Sequence, residues 1–562
     1  MFRAGERETV TVIEEYLTRT RIAYFSMEIA LRSEMRTYSG GLGVLAGDTM
    51  RSAADLGLPM VFVTLASRQG YLHQEIAPDG HQIDHADPWE PSDWATALPE
   101  VRAATIEGRE IWIRPWLYEW ISRRGAKIPV ILLDTNVERN DARDRSITDR
   151  LYGGDEAYRL KQEIVLGIGG ERVLRALGFK VETYHLNEGH AALLPLALLR
   201  EREAEMGGIV EVRKRCVFTT HTPVEAGHDR FSYELVGRIL GNFADLERIR
   251  SLAGRDQLNM TRLALNLCSY VNGVSVRHAE VTRHMFPDYH IHAVTNGVHV
   301  GQWTHPAFAR LFQDMEPDWD VRPEILAGAA DLDDEAVWHA HGEAKADLVA
   351  LVRRTSGRDL DPALPIIGFA RRMTSYKRPN LLLGDWDRLT GIFQRFPFQI
   401  VMAGKAHPRD EGGKRLLREI GTRANRAGIP IVFLPNYDMD IARTIVSGSD
   451  IWLNTPLPPL EASGTSGMKA ALNGVLNLST LDGWWLEGCE EGVTGWGIGS
   501  EGSPDDHARI LYDKLETMIL PLYVENRPAW IGMMKQAIAK IGPVFNTQRM
   551  MRAYAREAYR LP

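Results

Sequence analysis

Short apolar, β-branched runs alternate with helical patterns along most of the chain, and the alternation starts again after one long polar stretch. LPMVFVTLA (58–66), KIPVILLDT (127–135), RCVFTTHT (215–222) and IHAVTNGV (291–298) read as buried strands. Helical stretches such as GHAALLPLALLREREAEM lie between them. That pattern builds parallel sheets covered by helices. DLDDEAVWHAHGEAKADLVALVRRTSGRDLDPALP (331–365) reads as a polar helix and a loop, and PIIGFA, FQIVMAG, IPIVFLPN, DIWLNTP and VLNLST then form a second strand set. The boundary falls near 330–362, and 562 residues suit two domains rather than one core. The expected division is 1–345 and 346–562, with the last helix packing back on the first domain. Ligands in such folds gather at the C-terminal ends of the strands, here in a cleft between the two domains.

Composition narrows the partners. A net charge of −8 gives no electrostatic reason to expect nucleic acid or an anionic membrane. Cys216, Cys268 and Cys489 are too scattered for a disulfide framework or a zinc ribbon, which fits a reducing cytoplasm. MFRAGERETVTVIEEYL carries no apolar h-region, and no run approaches the ~20 apolar residues of a membrane helix. Two motifs read as decoys. Gly167, Gly169 and Gly170 imitate a dinucleotide loop but sit inside a helical pattern. The histidines of HAHGE (339–343) lie two apart on a helix and point to different faces, so no metal site is expected there or elsewhere.

Four stretches carry candidate chemistry. In TYSGGLGVLAGD (37–48), Gly40, Gly41 and Gly43 let backbone amides approach an anion where a helix begins. In IIGFARRMTSYKRPN (366–380), Arg371, Arg372, Lys377 and Arg378 crowd the loop after a buried strand, and Tyr376 adds a flat ring. Guanidinium grips phosphate oxygens in pairs, and lysine adds a mobile point charge. HLNEGH (Asn187, Glu188, His190), TTHT (His221) and TNGVH (Asn296, His299) place polar groups at strand ends, as a cleft that hydrogen-bonds hydroxyls requires. In EASGTSGMKAALNG (461–474), amides from Gly464 to Gly467 form a nest, Glu461 accepts hydroxyl protons, and Lys469 stands on the first helical turn. Neighbouring cations and the helix start should lower the lysine pKa, favouring Schiff-base chemistry.

These stretches, with YFSMEIALRSEMRTYSGGLGVLAGD, LNEGHAALL, FTTHTPVEAGHDRF, YVNGVSVRHAEVTR, TNGVHVGQW, GFARRMTSYKR and MAGKAHPRD in that order, resemble the α-glucan (glycogen and maltodextrin) phosphorylases, in their short bacterial and archaeal form. The resemblance covers nearly the whole chain. It implies the GT-B architecture, two Rossmann-like α/β domains with parallel sheets facing across a cleft. It implies reversible phosphorolysis of α-1,4-glucan or maltodextrin by inorganic phosphate, releasing α-D-glucose 1-phosphate, in a cytoplasmic homo-oligomer. Lys469 matches the lysine that holds pyridoxal 5'-phosphate as a Schiff base. Arg371, Thr465, Ser466, Gly467 and Tyr437 match the cofactor's other contacts. Arg372 and Lys377, with Gly40, Gly41 and Leu42, match the binding of substrate phosphate. His221, Asn296, Glu461, Ser463 and Gly464 match groups around the glucosyl unit, and Tyr376 the aromatic residue beside it. The family's mechanism uses the cofactor phosphate as a proton relay to the substrate phosphate, so no glycosidase-type carboxylate pair is required.

The chain departs from that pattern at LNTPLPPLEAS, where Leu457 and Pro458 replace two arginines usual in the short form. If those arginines touch phosphate or a neighbouring chain, activity or assembly changes. Asp438, after Tyr437, stands where the long enzymes carry an arginine, as is normal for the short form. The alternatives are a catalytically weak or inactive phosphorylase-like glucan-binding or regulatory protein, and a nucleotide-sugar glucosyltransferase of the same fold. The latter enzymes carry a glutamate where Lys469 stands.

Overall fold

The computed structural model describes residues 13–201, 208–243, 245–424, 426, 428–499 and 503–561. Most of MFRAGERETVTVIEEYL and the end of GHAALLPLALLREREAEM (202–206) lie outside the described residues.

Ile22–Ser26, buried at every position, is the centre of the first sheet. Met60–Leu65 and Lys127–Asp134 follow on one side, and Thr183–Asn187, Cys216–Thr219, Tyr270–Gly273 and His292–Ala293 on the other, all parallel. The expectation of parallel sheets needs correction at one edge. Arg109–Ile121 runs antiparallel to Lys127–Asp134, and Thr96–Ala97 and Val101–Ile106 pair antiparallel with it. Tight turns at Gly108 (φ 76°) and Gly125 (φ 80°) join these strands, and a tight turn cannot make the long crossover that parallel neighbours need. IHAVTNGV yields only the two-residue strand His292–Ala293. The rest is drawn off by the chain's end: Val298 N donates to Phe545 O (3.1 Å) and Thr547 N to Val298 O (3.0 Å).

The second sheet is parallel throughout, ordered Ile431–Leu434, Gln399–Ala403, Ile366–Ala370, Ile451–Asn454, Leu476–Thr480, Gly495–Ile498. Numbered along the chain that order is 3-2-1-4-5-6, the Rossmann arrangement, and the parallel strands of the first sheet run 3-2-1-4-5-6-7. The fold is therefore α/β of the GT-B type, with two Rossmann-like sheets. Each has a switch point where the strand order reverses. One lies between Ile22–Ser26 and Thr183–Asn187, the other between Ile366–Ala370 and Ile451–Asn454. The loops leaving those strands carry the candidate residues.

Asp334–Ser356, capped by Asp333 and ended by Gly357 in the left-handed region (φ 68°), leads into the second sheet. On it His341 and Lys345 are buried and both reach Asp450, each at 2.9 Å, while His339 is exposed, so the HAHGE histidines do face apart. The glycines of LGIGG sit within an unbroken helical run, Glu156–Ile164, Val165–Gly169 and Gly170–Ala176. A Cβ on Gly170 would lie 2.7 Å from the Phe25 ring, so the glycine serves close packing against the central strand.

Two elements tie the halves together. The C-terminal helix Thr547–Glu557 lies against Gly41–Asp55, with Thr547 and Ser52 sharing a hydroxyl hydrogen bond of 2.6 Å. The hairpin His73–Ile76/Gln82–His85 reaches the second sheet through Gln74 Nε2 donating to Gly404 O (2.9 Å) and Ala406 N donating to Gln82 Oε1 (3.0 Å). Among the described residues no helix is long and apolar enough to cross a membrane.

Candidate active site

The glycine loop is fixed by a carboxylate that sequence reading passed over. Glu28, buried just past the central strand, accepts from Ser39 N (2.5 Å), Gly40 N (3.0 Å) and Tyr152 Oη (2.8 Å). A Cβ on Gly43 would come within 2.7 Å of that carboxylate, so the loop can sit this close only without a side chain there. Gly41 opens the helix Gly41–Asp55 with free space around it, and Leu42 beside it is half-buried. A Cβ on Gly40 would lie 3.3 Å from Arg372 Nη2, so the basic loop of the second half arrives beside the glycine loop of the first. Arg372 itself is exposed.

Glu461 is the hub of the second half. Its buried carboxylate takes Arg371 Nη2 at 2.6 Å and Lys377 Nζ at 2.8 and 2.6 Å. Burial alone would raise its pKa, but Arg371 and Lys377 prevail and hold it at about 2. Asp482 Oδ2 accepts from Glu461 N at 2.9 Å, fixing the backbone beneath the carboxylate. The remaining donors of Arg371, Nε and Nη1, are buried with no partner among the described residues. Tyr437 lies close enough to feel the Arg371 charge. Asp438 caps the helix Met439–Gly448, accepting from Asp440 N (3.0 Å) and Ile441 N (2.9 Å). The Lys377 ammonium stands 4.6 Å over the Tyr376 ring.

Lys469 is buried on the short helix Ser466–Ala471. Its Nζ sits 3.7 Å over the Trp303 ring and makes no hydrogen bond or ion pair among the described residues. Its pKa is pushed down to about 8, as expected, but for a different reason. Burial is the main cause; Asp48 opposes it and Arg51 assists. Asp48 accepts from Trp303 Nε1 at 2.7 Å, so the ring facing the lysine is held by the helix that begins at the glycine loop. Behind Lys469, Ser466 Oγ accepts from Trp452 Nε1 (3.1 Å), and a Cβ on Gly467 would strike Asn477 Oδ1. Thr465 precedes them with its carbonyl accepting from Lys469 N at 3.4 Å, and Gly464 takes φ 91°, which favours glycine.

The first half supplies a neutral wall. Asn187 Nδ2 donates to Ser26 Oγ (3.0 Å), which leaves Asn187 Oδ1 to accept from His221 Nε2 (2.7 Å). His221 N donates to Glu188 Oε2 at 2.6 Å. Loss of water around the ring, then the nearby imidazoles of His278, His185 and His190, push the His221 pKa down to about 3. Burial pushes the Glu188 carboxyl up to about 7. Asn296 is locked by Asn296 N donating to Val274 O (3.0 Å) and Arg549 Nη2 donating to Asn296 O (3.0 Å). Ser275 Oγ donates to Ala462 O (2.7 Å) across the halves, bringing Ser463 alongside. Asn296 Oδ1 and Ser463 Oγ are buried without partners among the described residues, as groups that bond a hydroxylated ligand would be.

Comparison with known proteins decides what lineage this geometry belongs to. A family model described as carbohydrate phosphorylase matches residues 205–494. A maltodextrin phosphorylase from Thermococcus litoralis is 39% identical, the match covering 96% of this chain and 70% of the relative. Glycogen phosphorylases from Mycobacterium tuberculosis (37% identical, 96% and 71%) and Aquifex aeolicus (35% identical, 96% and 86%) align over similar spans. The chain belongs to the carbohydrate phosphorylase family. With it the chain joins the glycosyltransferases.

Carbohydrate phosphorylases use pyridoxal phosphate, and the residues here fit that group. A buried amine of lowered pKa stands at Lys469, over the Trp303 ring and without a hydrogen bond among the described residues. Two guanidinium donors on Arg371, unpaired among the described residues, suit a phosphate, and Gly467 lets the backbone pack closely on Asn477 and Trp484. Glu28, Trp303 and Asp48 support this family's site from inside the matching stretches, where their roles depend on partners far along the chain.

Proposed function

We propose that this protein catalyses the reversible phosphorolysis of α-1,4-glucans, releasing α-D-glucose 1-phosphate, with pyridoxal 5'-phosphate held at Lys469. One observation carries the reading. At the second switch point Arg371, with two donors unpaired among the described residues, and Lys377 both meet Glu461, which opens the segment that ends on Lys469.

Lys469 would hold the cofactor, Arg371 and Tyr437 would line its phosphate, and Thr465, Ser466 and Gly467 would close the backbone around it. When bound, pyridoxal phosphate supplies its phosphate group as the proton relay to the substrate phosphate. Arg372 and Lys377, with the amides of Gly41 and Leu42 at the turn that Gly40 opens, bind and orient inorganic phosphate. Their positive charge offsets the repulsion of adjacent phosphates and stabilises charge developing at the glucosyl carbon. Glu461, ionised at any working pH, accepts from glucosyl hydroxyls while keeping Lys377 in place. His221, neutral and fixed by Asn187, hydrogen-bonds the sugar without adding charge, and Asn296, Ser463 and Gly464 complete the contacts. Tyr376 packs beside the sugar. Gathering the two switch points in one cleft excludes water, which would otherwise turn phosphorolysis into hydrolysis.

The test is to supply purified protein with maltodextrin and inorganic phosphate after recording its cofactor absorbance. Glucose 1-phosphate formed only with phosphate present supports the reading. A protein that retains the cofactor yet forms no product rejects it in favour of an inactive glucan-binding relative.

A further inference from the structure

Among the described residues Arg378 is a buried cation with no carboxylate beside it. It sits in the left-handed region (φ 47°), and its guanidinium donates to backbone: Nε to Thr455 O at 2.7 Å and Nη2 to Pro456 O at 2.8 Å. Burial accordingly lowers its pKa to about 10. The contacts run in both directions. Thr455 Oγ1 donates to Arg378 O (2.9 Å) and to Lys377 O (3.2 Å), and Leu457 N donates to Tyr376 O (2.7 Å). Thr480 Oγ1 holds Pro456 O from the next strand at 3.0 Å. These bonds staple the loop after Ile366–Ala370 to the loop after Ile451–Asn454, across the second switch point. Lys377 lies within the staple on one loop, and Glu461 follows it on the other.

We propose that Arg378 is a positioning residue for phosphate. Its guanidinium fork clamps Thr455 and Pro456, where the chain enters the LPPL loop (457–460), to the basic loop and so sets the Lys377 ammonium where inorganic phosphate must bind. Lysine cannot reproduce the clamp, because an ammonium lacks the planar fork that meets two successive carbonyls. The chain needs a clamp here because the LPPL loop carries no charged side chain to anchor it.

This inference rests on the phosphate-site reading above, and its test is kept separate from turnover. Phosphate affinity of the cofactor-loaded protein is measured by calorimetry with inorganic phosphate alone, for wild type, Arg378→Lys and Arg378→Met. KM for phosphate and for maltodextrin are measured alongside. Phosphate affinity should fall about tenfold or more in both variants, with cofactor content retained and the maltodextrin KM within about twofold of wild type. Equal phosphate affinity in wild type and Arg378→Lys overturns the clamp, as does a wild type that binds no phosphate. Parallel losses of both substrates and the cofactor also overturn it, because they mark Arg378 as a general structural residue. A wild type that binds phosphate but yields no glucose 1-phosphate instead rejects the proposed function and leaves the clamp standing on the affinity data.

Discussion

The two walls of the cleft solve opposite problems. The wall from the first sheet offers the uncharged side chains of His221 and Asn296 and is already locked: His221 is held by Asn187 and Glu188, Asn296 by Val274 and Arg549, and the glycine loop by Glu28. The wall from the second sheet is charged and poised: Glu461 balances Arg371 and Lys377 while Arg371 keeps two donors unspent. A sugar asks for many uncharged hydrogen bonds in fixed places. Phosphate groups ask for positive charge that must not collapse on itself before they arrive. A single buried carboxylate between two cations meets the second need, because its pKa of about 2 keeps it ionised and the cations apart.

Breaking the charged wall should have the larger effects. Lys469→Ala should abolish cofactor retention and reduce phosphorolysis to background; a loaded, active variant would contradict the assignment. Glu461→Gln should lower kcat/KM by about 10²–10³-fold and raise the KM for phosphate, because the cations lose their balance. An unchanged phosphate KM would remove Glu461 from the charged wall. Acid stability reports the same group. A carboxyl held at about 2 contributes stability that is present above its ordinary value of 4.5 and lost as pH falls towards 2. Urea titrations of Glu461→Gln should lose that segment of the pH profile.

Changes to the neutral wall should be smaller and of another kind. His221→Ala should raise the glucan KM by roughly 10–100-fold, the equivalent of one or two hydrogen bonds, and leave phosphate affinity unchanged. Its pH signature also differs. A His held at about 3 contributes stability present above its ordinary 6.5 and lost as pH falls from there towards 3, a higher window than that of Glu461. At the small end, Gly297→Ala should cost about 1–3 kcal/mol of stability, because the new Cβ strikes the Asn546 backbone and loosens the C-terminal helix. A melting temperature unchanged in that variant would show that the chain's end does not hold the sugar wall.

Sequence alone reveals the repeated strand–helix alternation, because buried parallel strands are continuous apolar runs: LPMVFVTLA, PIIGFA and FQIVMAG all form strands. It is weaker where signals mix. GWGI (495–498) hides a strand behind two glycines, and IHAVTNGV contains more β-forming residues than the fold uses. The basic loop and EASGTSGMK are legible because their chemistry is contiguous in the chain. Glu28, Asp48, Trp303 and Tyr152 are not, because each acts through a partner far away in sequence, as Trp303 does on Lys469. The lysine's lowered pKa is foreseeable, but its cause is burial across the junction of the halves, which no local pattern records.

The most direct measurement maps the cofactor. The protein is incubated with pyridoxal phosphate between pH 6.5 and 9, reduced with borohydride, digested, and its peptides weighed. A single pyridoxyl-modified residue, Lys469, is expected, with uptake quickening as pH rises towards about 8, where the buried amine loses its proton, and levelling above it. Modification of another lysine, or none at Lys469 at any pH, would contradict it.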